Sequence, residues 1–289
     1  MIMKRFNHRI ILLLIITFAF SFSTEAQQFK PNTEIGILLG TSYYLGDLNT
    51  THFNNSSFAS GLIVRKNIDR RFSYKAELLY LNIAADDRNS NSLDTNRGLH
   101  FKSPVYEISG QIEFNFLPYD PGNPLYTWTP FIYTGISLFH FNPQAENRSG
   151  EWVDLQPLGT EGQGTALVGS EEYSLTQVAI PLGGGIKIAI NPSFNIILEY
   201  GIRKTFTDYL DDVSTVFVGN HDVSGNPISY PPEMSSDAIE MSDPRAGLNT
   251  QFTHSKGDQR GDPNDNDWYS FVGITLSFKL NNQTKGCDY

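Results

Sequence analysis

Cysteine is almost absent. The 289 residues contain one, Cys287, third from the end, so no disulfide can form within the chain. Beyond the first 26 residues no segment has the ~20 consecutive apolar residues of a spanning helix. An excess of basic residues is also missing. Lys+Arg number 21 against 31 Asp+Glu, a formal charge of −10. That balance gives no basic footprint for nucleic acid, so none is expected as a partner. The six His are scattered, and no Ser, His and Asp share the spacing of a nucleophile elbow or a metal site. No catalytic residue, no cofactor and no enzymatic activity are therefore expected.

The first residues read as an export signal. Lys4, Arg5 and Arg9 make a positive start, and Ile10–Phe20 is apolar apart from Thr17. Small residues around Thr24-Glu25-Ala26 place cleavage after Ala26. Residues 1–26 are thus assigned as a cleaved signal peptide and residues 27–289 as the mature domain. Removing three bases and one acid leaves 18 Lys+Arg against 30 Asp+Glu, or −12.

The mature chain alternates apolar and polar residues in eight stretches: 33–45, 57–68, 71–84, 99–116, 129–141, 174–190, 193–206 and 268–280. Such alternation gives a strand one apolar and one polar face. The stretch around Tyr106–Phe116 is the cleanest. Its Tyr106, Ile108, Gly110, Ile112, Phe114 and Phe116 oppose Glu107, Ser109, Gln111, Glu113 and Asn115. The fifth stretch is apolar on both sides and leaves its facing open. With no membrane helix, a membrane-inserted chain must be a closed barrel, which alone satisfies backbone polar groups in lipid. The fold class expected is therefore all-β: a transmembrane, up-and-down, antiparallel barrel of eight strands. A soluble sandwich or lipocalin-like barrel is disfavoured by strand length, by the unpartnered apolar face, and by aromatics near strand ends. Those aromatics are Tyr43, Tyr74, Tyr106, Tyr200, Trp268 and Tyr269.

The gaps alternate in length. Tight turns at 67–71 and 191–193, and a longer link at 117–128 stiffened by Pro118, Pro121 and Pro124, face the periplasm in this reading, together with both termini. Long loops at 46–56, 85–98, 142–173 and 208–267 face outward. A ten-stranded barrel would need an extra hairpin in the last loop, for which 213–218 is the candidate. The polar faces carry Arg65, Lys75, Glu77, Glu107, Glu113, Lys187, Glu199, Arg203 and Lys279. These predict a lumen filled with ion pairs, because eight strands enclose little more than their own side chains. A proton path or ion pore is the alternative.

Two acidic loop segments, 208–212 and 262–267, are dense in oxygen atoms. Asp262, Asn264 and Asn266 are the weak candidates for a hard cation. However, Asp267 stands where a calcium loop needs Gly, and no Glu follows at the required distance. No metal site is expected, and both segments read as solvated or salt-bridged loop ends near the rim.

Several segments, in order, carry a family resemblance: YYLGDLN (43–49), FNPQAE (141–146), LQPLGTEGQG (155–164), SLTQVAIPLGGGIK (174–187), EYGIRKTFTDYLDDVST (199–215) and GDQRGDPNDNDWYSFVGITLSFKL (257–280). Together they resemble the PorG-type, DUF6089-like outer-membrane proteins of the Bacteroidetes. The resemblance implies a non-enzymatic component of the type IX protein secretion machinery, which in some species also drives gliding. It implies outer-membrane lipids and periplasmic ring subunits of the PorK/GldK and PorN/GldN classes as partners. Ring contacts would come from the periplasmic side, and Cys287, Asn281, Tyr119 and Trp128 are the candidate partner-binding residues. An independent structural or adhesive barrel, whose outward loops bind a ligand, is the alternative function.

Overall fold

The computed structural model describes residues 29–87, 97–166, 168–222, 224, 226–245 and 254–280. The proposed signal peptide lies outside these residues. Eight long strands form the wall: β1 (Asn32–Leu45), β2 (Ser57–Asn67), β3 (Phe72–Asp86), β4 (His100–Asn115), β5 (Trp128–Phe141), β8 (Thr176–Ala189), β9 (Phe194–Thr205) and β12 (Trp268–Leu280). Each pairs antiparallel with its neighbour in this order, and β12 pairs back onto β1 with Leu45 opposite Trp268. The ring is closed, so no wall strand is left with an unpaired edge.

The expected outward face is exposed on the surface. Ile35, Ile37, Leu39, Leu62, Val64, Leu78, Ile108, Ile112, Ile132, Leu138, Leu182, Ile186, Leu198, Ile274 and Leu276 form part of a continuous apolar belt. In water such a surface would be an aggregation hazard, whereas in hydrocarbon it is the solvent-matched face. A tilted strand crosses a bilayer in ~9–11 residues. β1, β3, β4, β5 and β8 have 14–16 residues and so extend beyond the belt at the long-loop end. There the outward positions turn polar, with Asn82, Lys102, His140 and Lys204.

The girdle expectation needs correction at two positions. Tyr74 and Tyr106 are exposed as expected. Tyr43 is instead covered by the first long loop, and its hydroxyl contacts His52 Nδ1 at 2.9 Å and Tyr200 Oη at 2.7 Å. Tyr269 points inward and donates to Glu107 Oε2 at 2.6 Å.

The structure also decides the facing of β5. Phe131, Tyr133, Phe139 and Phe141 point inward, while Ile132, Ile136 and Leu138 point outward. The additional short strands sit in loops. β6 (Gln144–Glu146) and β7 (Trp152–Asp154) form a hairpin that extends the sheet beside β4 at Lys102. β10 (Asn220–His221) and β11 (Pro227–Ile228) form a separate pair. The candidate hairpin at 213–218 contributes only the isolated bridge between Val216 and Gln259. Among the described residues a short helix, α1 (Ser236–Ser242), starts at an N-cap in which Ser235 Oγ accepts from the Ala238 N–H.

Candidate functional site

The lumen has two differently built halves. Toward the short turns it is ionic. Arg65 from β2 donates to both Glu113 carboxylate oxygens from β4, at 2.7 and 3.1 Å, and reaches Glu34 of β1 at 3.4 Å. Lys187 from β8 donates to the same Glu113 at 2.6 Å. Lys75 pairs with Glu199 and lies 4.1 Å from the centre of the Tyr133 ring. Arg203 bridges Glu107 at 2.9 Å and Glu77 at 3.3 Å. Five carboxylates thus share four cations, with relative side-chain exposures of 0–1 % for the pairs measured around Arg65, Glu113 and Lys187. Paired glycines admit the large groups. A Cβ at Gly183 or Gly201, which oppose each other in β8 and β9, would come within 2.4 or 2.3 Å of Tyr133 Oη.

Toward the long loops the lumen is apolar, which corrects the expectation of ion pairs throughout. Leu38, Ile63, Leu79, Leu81, Ile83, Val105, Phe139, Phe141 and Phe271 make one buried cluster. It continues into Leu48, Leu99, Leu155, Leu210, Val213 and Met241 of the loops. A hydrated ion would have to displace these side chains and break the pairs below, so the described lumen is a packed core.

Above this core the loops form a crown, and here Asp208, Asp211, Asp212 and Asp267, expected to be solvated or salt-bridged, are buried. Tyr44 Oη lies 2.5 Å from Asp211 Oδ2 and 2.7 Å from Asp267 Oδ1. Asp211 also accepts from the Val213 N–H and Asp267 from the Leu210 N–H. Burial, reinforced by neighbouring acids, pushes both carboxyls well above the usual carboxylate range. Burial likewise pushes Asp47 up to about 6 and Asp208 up to about 8. Asp208 is 7 % exposed, and neither of its oxygens accepts a hydrogen bond of good geometry. Two arginines relieve part of the crowding. Arg97 holds Asp87 at 3.0 Å, and Arg260 holds Glu161 at 2.8 Å beside Asp212.

Among the described residues of the crown, the His254–Asp243 contact invites comparison with a catalytic pair. His254 contacts Asp243 at 3.2 Å, but neighbouring Ser242 is fully buried and its hydroxyl has no partner. Among the described residues no group of three His, Cys, Asp or Glu is placed to hold a metal. Asp262 instead closes a turn, accepting from the backbone and side-chain nitrogens of Asn264 at 3.1 Å. Asn266 is half-buried beside it.

At the short-turn end the partner-binding candidates separate. Tyr119 turns into the lumen mouth at 2 % exposure, with Lys187 6.0 Å from its ring, and so presents no side chain for docking. Trp128 is exposed on the outward face at the end of the apolar belt, a position suited to a membrane interface. Asn281 and Cys287 lie outside the described residues. The turn between β4 and β5 is held by Arg70, which meets Asp120 at 3.5 Å and stacks over Tyr126 at 4.8 Å. Its tip exposes Leu125 at 80 %. Alternation carries no signal for such a residue, because it belongs to a turn.

A family profile described as a domain of unknown function (DUF6089) matches residues 8–156. Among solved structures, the chain is similar to Neisserial surface protein A, at 8 % identity over 87 % of this chain and 99 % of that one, with a TM-score of 0.41. It is similar to Ail, the attachment invasion locus protein of Yersinia pestis, at 8 % identity over 87 % and 100 %, with a TM-score of 0.41. A third is the N-terminal β-barrel domain of Pseudomonas aeruginosa OprF, at 9 % identity over 86 % and 100 %, with a TM-score of 0.35. The eight-strand assignment rests on this chain's own register rather than on likenesses so distant. A search of the curated proteins finds no match.

Proposed function

The chain belongs to the DUF6089 family, whose profile spans over half of it, and we propose that it is an integral outer-membrane component of the type IX secretion machinery that docks the periplasmic lipoprotein ring. It carries out no catalysis. The short turns and both termini face the periplasm, residues 1–26 are removed on export, and the long loops face outward. The observation that carries this reading is the packed lumen. Charges buried below and apolar side chains packed above leave no conduit through the described barrel. Function then falls to the two end faces, and the ordered motif series supports the type IX role.

The ring contact is assigned to the tail 281–289 and to the β4–β5 turn with exposed Leu125. The tail follows β12 directly and carries the only thiol. In the oxidising periplasm that thiol is free to pair with a Cys of the ring lipoprotein. The test is affinity recovery of ring subunits from detergent-solubilised outer membranes under native expression. Wild type should recover PorK/GldK- and PorN/GldN-class subunits. Removing 282–289 or introducing Leu125→Asp should weaken recovery while the barrel stays folded. A reducible higher-mass band that Cys287→Ser abolishes would establish the disulfide. Wild type recovering no ring subunit would refute the docking role and leave the adhesive-barrel alternative, which the large crown supports.

A further inference from the structure

A phenol carries one hydrogen, yet Tyr44 Oη sits within hydrogen-bond distance of two carboxyl oxygens, Asp211 Oδ2 at 2.5 Å and Asp267 Oδ1 at 2.7 Å. If both acids were ionised, one contact would set an oxygen lone pair against a carboxylate with no proton between them. That arrangement is repulsive, and more so in a buried site. No small donor has room to intervene from the Gly46 side. A Cβ built there would lie 1.9 Å from Asp267 Oδ1 and 2.1 Å from Tyr44 Oη. The second hydrogen therefore belongs to one of the two carboxyls.

We propose that Tyr44, Asp211 and Asp267 form a proton-sharing latch that fastens the 208–267 loop to the barrel mouth and opens as the external pH rises. The three residues come from the end of β1, the start of the 208–267 loop and the residue before β12. They are separated by 167 and 223 positions along the chain. Closing the latch therefore joins both ends of the longest loop to the wall. The neighbours do not supply the missing positive charge. Asp47 and Asp208 stand close and add negative potential. Arg260 faces Asp211 but is engaged by Glu161 and Asp212, and Arg97 is engaged by Asp87. His100 lines the space beside Asp211, with its Nε2 accepting from the Glu146 N–H. Beneath, Tyr269 is committed to Glu107.

The direction of the pH effect follows from linkage. Both carboxyls are raised above their unfolded value, so their contribution is fully present at acid pH and is lost as pH rises through the raised range. The mature protein in lipid nanodiscs provides the test. Trypsin cleavage after exposed Lys256 would be measured from about pH 6 to about pH 10, with each rate divided by that of an unstructured reporter peptide. In wild type the normalised rate should climb, approaching about tenfold per pH unit for each proton released. Asp267→Asn and, independently, Asp211→Asn keep a fixed N–H toward Tyr44 and should flatten that climb. Heat-modifiable migration on gels reports whether each variant keeps a closed barrel, and either variant suffices if the other fails to fold. A flat wild-type profile would overturn the proposal. So would an unchanged climb in a folded Asn variant, which would assign the titration to other acids. Faster cleavage of the Asn variants at acid pH would also overturn it, because it would show that two ionised carboxylates were needed.

Discussion

Removing the Glu113 carboxylate should destabilise the barrel by about 3–5 kcal/mol. Glu113 accepts from Arg65 at 2.7 and 3.1 Å and from Lys187 at 2.6 Å, and none of these side chains is exposed. After Glu113→Ala, Arg65 retains Glu34 at 3.4 Å. Lys187 retains aromatic faces, with Phe131 at 4.7 Å and Tyr119 at 6.0 Å, and the more distant charge of Glu34. Hydrogen bonds to charged groups are worth ~1.5–3 kcal/mol each, so the three lost bonds set an upper limit near ~9 kcal/mol. The desolvation that Glu113 itself no longer undergoes offsets much of that. Breaking one partner out of a buried ion pair costs ~3–5 kcal/mol in practice, and this is the expected loss. The companion Lys187→Met removes the orphaned cation. The double variant Glu113→Ala/Lys187→Met should therefore be less destabilised than the sum of the singles by at least ~1 kcal/mol. The assay is urea unfolding in lipid vesicles, followed by the fluorescence of the three Trp residues. A Glu113→Ala loss below ~0.5 kcal/mol, the size of an ordinary surface change, would refute the premise that the network holds the ring together. Additive singles would refute the assignment of the cost to the stranded Lys187.

Planar-bilayer recording of the purified protein should show no steady conductance, whereas a large and stable current would mean that the packed lumen opens in lipid. Ile108→Arg, in the middle of the apolar belt, should cost ~2–4 kcal/mol in lipid; near-neutrality would show that this face does not meet hydrocarbon. Protease added to intact cells should cut within 208–267 and spare Lys285, and the reverse pattern would invert the proposed orientation.

The wall was legible in the sequence wherever one face was polar. Around 106–116 the alternation alone separates Ile108 and Ile112 from Glu107 and Glu113, and the structure keeps that division. It was illegible in β5, because the large inward residues there are aromatic: Phe139 and Phe141 join the apolar upper lumen, while Phe131 and Tyr133 lie against Lys187 and Lys75 of the ionic half. A strand that meets lipid on one side and a packed core on the other carries no period-two signal. The same physics hid the inward turn of Tyr269. The crown was hidden for another reason. Asp211 and Asp267 look solvated in a local window of sequence, and only the closure of the ring brings Tyr44 between them. Tyr119 was misplaced because a turn residue next to Pro118 reads as surface, while its ring closes the lumen mouth.

The two polar systems of this barrel differ in what an external change can do to them. The lower network sits at the level of the apolar belt, below the packed cluster of Leu38, Val105, Phe139 and Phe271. Its five carboxylates share four cations across the lumen, and each lies within ion-pair distance of at least one, as Glu113 does of Arg65 and Lys187. The crown has no such matching. Asp47, Asp208, Asp211 and Asp267 outnumber the nearby arginines, which are already committed. Neutrality there must come from protons, and those exchange with the medium that bathes the loops. A rise in external pH should therefore loosen the crown and leave the wall closed. Those two responses are separable, since cleavage after Lys256 would accelerate while heat-modifiable migration stayed unchanged. If both changed together, the apolar cluster would not insulate the wall from the loops, and the lumen would have to be treated as one cooperative unit.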